Sequence, residues 1–463
     1  MKRFVIFILP TAVLGITVGV PILFGDHPVK FDHRRPTEVH FAGVAEEQGR
    51  VWGFGKDTPQ EPVDTGPKVV RPWTEGSPEW GVQVYWLDDP NDPESFVQGK
   101  VDRIVDYVVG LNANALSVTF PYYTVGAKAN AVAARPTTPG PDRLALLLDA
   151  AHRAGLRTTV RPLLDEEALK YTTTGNWRGN IAPADRDAWF ASYAAFLTPY
   201  LKTAQDHGAA EFTIGTEFNS LESDPHWAGL VEQARKTFRG ELAYDANWDN
   251  WSKGAIPVPV EQTGVDAYFP AKSAGDDASA ADLVASWNTW LDKRGKGVQP
   301  TTKLTEVGIP AQKGAYKTPG DFYTRRELNE PVQATWFTAV CQVARERKLA
   351  GVYFWSLYFG IDPTLPTTED TPRMDFAGRP ASEKAIRDCF AQTYEVPAAP
   401  EGHGTAAASA PAAPGTTASP APGATTPAPS SPAPSSPAPS SPAPSSPAPS
   451  GSAPGSPQAT RKP

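Results

Sequence analysis

Between about residues 80 and 394 the apolar and polar positions follow two rhythms. Short runs rich in β-branched and aromatic residues recur at 81–86 (GVQVYW), 115–120 (ALSVTF), 156–163 (LRTTVRPL) and 211–215 (EFTIG). Four more follow at 241–247 (ELAYDAN), 265–268 (VDAY), 303–307 (KLTEV) and 351–355 (GVYFW). Each has the length and composition of a strand. Between most of them apolar residues fall three and four apart, which is helical spacing. At 143–154, Leu144, Leu147, Leu148 and Ala151 share one face; at 187–206, Trp189, Phe190, Tyr193, Phe196, Leu197 and Leu201 do the same. Helices are also predicted at 101–109, 227–238, 281–291, 332–346 and 383–392, whereas the link after the fifth strand shows none. Eight strands, mostly each followed by a helix, predict an α/β chain folded as a (β/α)₈ TIM barrel. A doubly wound open sheet is the alternative, and it usually carries a Gly-rich loop after its first strand. Here that strand runs into Tyr85, Trp86, Leu87 and Asp88, so the loop is absent.

The flanks break both rhythms. Residues 4–24 form one apolar run behind Lys2 and Arg3, about the length a helix needs to cross a bilayer. Basic residues stay on the cytoplasmic side. Residues 1–25 are therefore expected to be a transmembrane signal anchor, making a single-pass cell-membrane protein with its globular part extracellular. A signal peptide cleaved on secretion is the competing reading. The segment from Phe24 to His27 is a poor cleavage site, and no cysteine lies nearby to carry a lipid. Residues 26–75 are polar with scattered Pro and Gly and read as an extracellular stalk. Residues 397–463 are Pro, Ala, Ser, Thr and Gly, with SSPAP repeating from Ser430. Such a tail cannot bury a core and is expected to be disordered. It reads as a spacer within reach of the cell wall, with glycan attachment on its Ser and Thr as the alternative. The globular domain that remains is 76–396.

Composition narrows the function class. The chain has 463 residues and a formal net charge of −8. Nucleic-acid binding needs clustered Lys and Arg, so no nucleic-acid partner is expected. There are 7 His, and neither Cys has metal-ligand spacing around it, so no metal or cofactor is expected. The two cysteines, Cys341 and Cys389, fall in predicted helices late in the domain. Outside the membrane they can form a disulfide; two buried free thiols are the equal alternative.

Catalytic groups of such barrels sit at the C-terminal ends of strands. Glu217 ends the fourth predicted strand, Glu306 the seventh and Asp165 the third, while Asp88 and Asp89 follow the first. Two glutamates across a barrel mouth suit glycoside cleavage. One must be protonated to hand a proton to the leaving oxygen, and the other ionised to act as nucleophile or base. Different surroundings separate those roles. Flat indole rings suit the apolar faces of sugars, and Trp86, Trp177, Trp248 and Trp355 all fall at or beyond strand ends. Trp189, Trp287 and Trp336 sit in predicted helices and read as packing.

Several short segments together resemble glycoside hydrolase family 113, a family of the clan A barrels whose characterised activity is on β-1,4-mannan. They are GNWRG at 175–179, FTIGTE at 212–217, Asn247-Trp248, GVDAYFP at 264–270, LTEVG at 304–308, Gln333-Ala334 and Phe354-Trp355. The resemblance implies that Glu217 is the acid/base and Glu306 the nucleophile of a retaining mechanism. It also implies that Tyr268 bonds the nucleophile, that Trp355 floors the subsite of cleavage, and that Trp177, Arg178, Asn247 and Trp248 line the cleft. Two departures stand out. Thr216 holds the place where many clan A members have Asn, which leaves the sugar 2-hydroxyl contact to Asn247 or Asn219. Leu163 follows Pro162 where the family tends to have His. The expected function is a retaining glycosidase acting on a β-linked polysaccharide or oligosaccharide. An inactive carbohydrate-binding barrel at the cell surface and an envelope transglycosylase are the alternatives.

Overall fold

The computed structural model describes residues 66–165, 169 and 177–398. The apolar run at 4–24, most of the stalk and nearly all of the tail lie outside these residues. Among the described residues no helix is long and apolar enough to cross a membrane.

The strands are β1 (Glu79–Tyr85), β2 (Ala115–Thr124), β3 (Val132–Ala133), β4 (Arg157–Leu164), β5 (Glu211–Thr216), β6 (Glu241–Asn247), β7 (Gln262–Asp266), β8 (Lys303–Val307) and β9 (Gly351–Tyr358). All except β3 are parallel neighbours in chain order, and β1 pairs with both β2 and β9. The sheet is therefore a closed eight-stranded barrel with no free edge. The short β3 folds back antiparallel on the end of β2. The fourth and seventh strands of the barrel are thus β5 and β8.

The helices are α1 (Glu94–Gly110), α2 (Pro141–Ala154), α3 (Arg186–Asp206), α4 (His226–Arg235), α5 (Trp248–Trp251), α6 (Ala280–Leu291), α7 (Glu330–Arg347) and α8 (Pro380–Phe390). Local chemistry sets their ends. Pro141 opens α2, Asp185 caps α3 through the Ala188 N–H, and Ser279 with Asp282 forms a capping box on α6. Trp189, Trp287 and Trp336 are fully buried between helices and barrel, as their helical positions predict. The single turn α5 stands where no helix was expected. Asn247 starts it by accepting the Asp249 N–H, a local capping signal too short to show as a period.

An ionic plug closes the N-terminal end of the barrel. Lys303 sits 3.0 Å from Glu79 and 2.6 Å from Glu211, and Arg157 donates to Glu79 at 3.1 Å. A Cβ at Gly81 would overlap the Tyr353 ring, so glycine lets that ring fill the interior. Residues 66–75, read from sequence as the end of the stalk, lie against this same region. The Val69 N–H donates to the Ala154 carbonyl, Arg71 donates to the carbonyls of Phe390 and Ala391, and Arg157 lies over the Trp73 ring. In the outer layer, α7 and α8 are joined by a disulfide between Cys341 and Cys389. Of the two open readings for these cysteines, the structure shows the bonded one.

Candidate active site

The C-terminal ends of the strands surround a cleft of about 320 Å³. Glu217, Glu306, Trp177, Arg178, Asn247, Trp248, Tyr268 and Trp355 all line it. Tyr85, Leu163, Asp165, Gly320, Phe322 and Tyr323 complete the walls.

Glu217 stands one residue past β5. Its φ of 54° is left-handed, an uncommon conformation for a residue with a Cβ. Its N–H donates to the Asp245 carbonyl at 2.7 Å, which ties this turn to the neighbouring strand. The residue is 6% exposed, and both carboxylate oxygens are engaged. Arg178 Nη1 donates to Oε2 at 2.6 Å, and Asn247 Nδ2 donates to Oε1 at 2.8 Å. Arg178 is carried by a 3₁₀ turn, Arg178–Asn180, where the Trp177 ring packs against Gly179.

Glu306 is equally buried, at 6% exposed, on β8. Tyr268 Oη donates to its Oε2 at 2.6 Å, and Arg161 Nη1 lies 2.6 Å from its Oε1. Tyr268 follows β7 and reaches Glu306 across Gly308, where a Cβ would press on both the Tyr268 hydroxyl and the Trp355 ring. Burial, then the charge and hydrogen bond of Glu306, push the Tyr268 hydroxyl well above its usual range. It therefore stays a phenol and a donor.

Arg161, on β4, escaped the sequence reading. Its guanidinium is fully buried and meets three carboxylates: Asp245 at 2.6 Å, Asp266 at 2.7 Å and Glu306. Burial works against its charge, but Asp266, Glu306 and Asp245 outweigh that and hold it cationic. A signal was present. Arg161, Asp245 and Asp266 are charged residues inside apolar strand runs, and buried charges must be paired.

Trp86 is a correction. It was expected in the cleft, but it is fully buried outside the barrel wall. Its ring stacks on Phe359 at 3.9 Å, and its indole N–H donates to Asp88, which Arg143 holds at 2.9 Å. Alternation along the strand is the reason: successive side chains point to opposite faces, and Tyr85 takes the inward place. There the Tyr85 ring lies 5.5 Å from that of Trp355. Of the two candidates for the 2-hydroxyl contact, Asn247 lines the cleft, while Asn219 donates to Asp249. Leu163, in place of His, packs with Tyr85 and Trp355 into an apolar floor. Among the described residues no cluster of His, Cys, Asp and Glu is arranged to hold a metal ion.

A closed parallel barrel with two buried carboxylates across its mouth is the architecture of a barrel glycosidase. Comparison with known proteins agrees. The model of Glycoside Hydrolase Family 113 matches residues 98–365, more than half of the chain. The chain belongs to that family and is a glycoside hydrolase. Among solved structures it resembles a family 113 β-1,4-mannanase, with a TM-score of 0.55 and 18% identity over 68% of this chain and 99% of the other. It also resembles the family 113 β-mannanase AaManA from Alicyclobacillus acidocaldarius in complex with ManMIm, with a TM-score of 0.53 and 19% identity over 67% of this chain and 96% of the other. At such identity these two likenesses speak for the fold. No curated protein matched the chain.

Proposed function

We propose that this glycoside hydrolase cleaves β-1,4-mannan with retention of configuration, with Glu217 as acid/base and Glu306 as nucleophile. The observation that carries the reading is the shared cleft. Two buried glutamates from the fourth and seventh barrel strands face one space, and each has a different set of partners. In the first step an oxygen of Glu306 attacks the anomeric carbon. The bond to the leaving oxygen breaks, and the proton on Glu217 passes to that oxygen. In the second, ionised Glu217 takes a proton from water, the water oxygen attacks the anomeric carbon, and Glu306 leaves. Tyr268 and Arg161 hold the two oxygens of Glu306 in place for attack. Trp355 offers a flat floor for the sugar, and Asn247 supplies an amide near Glu217. The sugar assignment draws on the mannanases that the chain resembles.

Azide chemistry tests the two roles. Glu306→Ala should abolish hydrolysis and, with azide, give a glycosyl azide of inverted configuration. Glu217→Ala should still react with a dinitrophenyl β-mannoside in a burst, because that leaving group needs no proton. Azide should then restore turnover with retained configuration. Swapped phenotypes would reverse the roles, and full activity in both variants would remove the glutamates from the chemistry. Mannan that binds without being cut by the unaltered enzyme would favour a carbohydrate-binding barrel.

The same proposal places the barrel outside the cell, held by the apolar run at 4–24 behind Lys2 and Arg3. The Cys341–Cys389 bond supports an oxidising compartment. Protease added to intact cells should release an active fragment. Protein in the medium that begins near residue 26 would show cleavage instead.

A further inference from the structure

We propose that Arg325 and Arg373 form an anion site on the rim of the cleft, which takes a carboxylate or phosphate carried by the glycan. The proposal deepens the reading of the cleft as a glycan-cleaving site and rests on it. Residues 311 and 312, in the loop after β8, bring the two arginines together. The Ala311 N–H donates to the Arg373 carbonyl at 2.8 Å. The Gln312 side chain grips the backbone on both sides of Arg325. Its Nε2 donates to the Thr324 carbonyl at 3.0 Å, and its Oε1 accepts the Arg326 N–H at 3.0 Å. Both arginines are partly buried, and each adjoins the cleft. Tyr323 lines it, and Met374 packs into its floor with Tyr85, Leu163 and Trp355.

Two guanidinium groups so placed repel. Burial, and then the charges of Arg325 and Arg379, pull the Arg373 guanidinium below the usual arginine range, although it remains a cation. The acids of this rim are committed elsewhere. Glu330 holds Arg379 at 2.6 Å, Asp321 holds Arg326 at 2.6 Å, and Glu327 holds Lys313 at 2.7 Å. Glu330 and Glu369 attract Arg373 from farther away. The Arg373 Nε is buried and has no hydrogen-bond partner among the described residues, whereas buried donors are nearly always satisfied.

An acidic group lying between the two guanidiniums supplies that acceptor and offsets the repulsion. Arginine suits carboxylate and phosphate because its planar fork bonds two oxygens at once. A plain mannan chain offers only hydroxyls, so the pair selects for a glycan with an acidic substituent.

Isothermal titration calorimetry on the full chain tests this, in a Glu306→Gln background that stops turnover. The probes are β-1,4-mannohexaose and the same hexamer oxidised at C6 to a single carboxylate per chain on average. The carboxylated hexamer should bind about ten- to a hundredfold more tightly, the usual worth of hydrogen bonds to a charged group. The preference should shrink as salt rises, because partly exposed charges are screened. Arg325→Gln and Arg373→Gln should each cut it severalfold, and Arg325→Lys, which keeps the charge, should cut it less. A purely structural role would weaken both hexamers alike and leave the preference unchanged. Equal affinities for the two hexamers, or a preference that survives both glutamine substitutions, would overturn the site. Inorganic phosphate separates a substituent from a free anion. Saturable phosphate binding beside equal affinities for the two hexamers would assign the pair to a free anion and overturn the proposal. If neither hexamer binds, the mannan assignment fails. The same comparison with cellohexaose and its C6-oxidised form then decides the anion site, which falls if no preference appears there.

Discussion

Arg161 and Glu306 meet at 2.6 Å inside the barrel, although they come from strands that are not neighbours in the sheet. The same guanidinium holds Asp245 and Asp266, so one cation organises three carboxylates beneath the cleft. Arg161→Met keeps the length of the side chain and removes the charge. Breaking a buried ion pair from one side costs about 3–5 kcal/mol. The variant should unfold at a clearly lower urea concentration and lose most of its activity. A wild-type urea midpoint together with wild-type kcat would show that the cluster is dispensable.

Tyr268 bonds Glu306 at 2.6 Å through a hydroxyl that stays protonated. Tyr268→Phe keeps the ring and deletes that donor. A hydrogen bond to a charged group is worth about 1.5–3 kcal/mol. The expected loss in kcat/KM is therefore roughly ten- to a hundredfold, with the fold intact by circular dichroism. If activity is unchanged, Tyr268 does not hold the reacting carboxylate.

Burial pushes the Asp375 carboxyl up to about 7, against the Ala377 N–H that its Oδ1 accepts. Its Oδ2 has no hydrogen-bond partner among the described residues. A folded value above the unfolded one means that the native state binds the proton more tightly. That stability is present below about pH 4 and is lost as pH rises toward 7. Asp375→Asn removes this titration. The variant should gain on the wild type between pH 4.5 and pH 8 in urea unfolding, by about 2–4 kcal/mol. Parallel pH curves would show that Asp375 does not drive the slope.

The Cys341–Cys389 bond spans 48 residues and ties α7 to α8 in the outer layer. Closing a loop of that size stabilises by about 4 kcal/mol in the chain-entropy model. Neither cysteine lines the cleft. Cys389→Ser, or reduction by dithiothreitol, should lower the unfolding temperature while leaving kcat at 25 °C near that of the bonded enzyme. Equal unfolding temperatures with and without reductant would refute the stabilising role.

By itself the sequence determined where the strands lie and which carboxyls end them. Strand runs such as FTIG and KLTEV can be read locally; Glu217 follows the first directly, and Glu306 stands at the last position but one of the second. Family resemblance pointed to Tyr268, Trp355, Trp177, Arg178, Asn247 and Trp248, and the fold brings all six to one cleft. Only the tertiary structure decided which face each strand residue takes. β1 is buried along its whole length, so exposure does not tell its inward face from its outward one; the interior takes Glu79, Gln83 and Tyr85, and the helical layer takes Trp80, Val82, Val84 and Trp86. Strand alternation then puts Tyr85, and not Trp86, in the cleft. The Arg161 cluster was also beyond local reading. Its partners Asp245 and Asp266 lie 84 and 105 positions away in the chain. No period links residues so far apart, and they meet because closure of the barrel turns the side chains of non-neighbouring strands toward one interior.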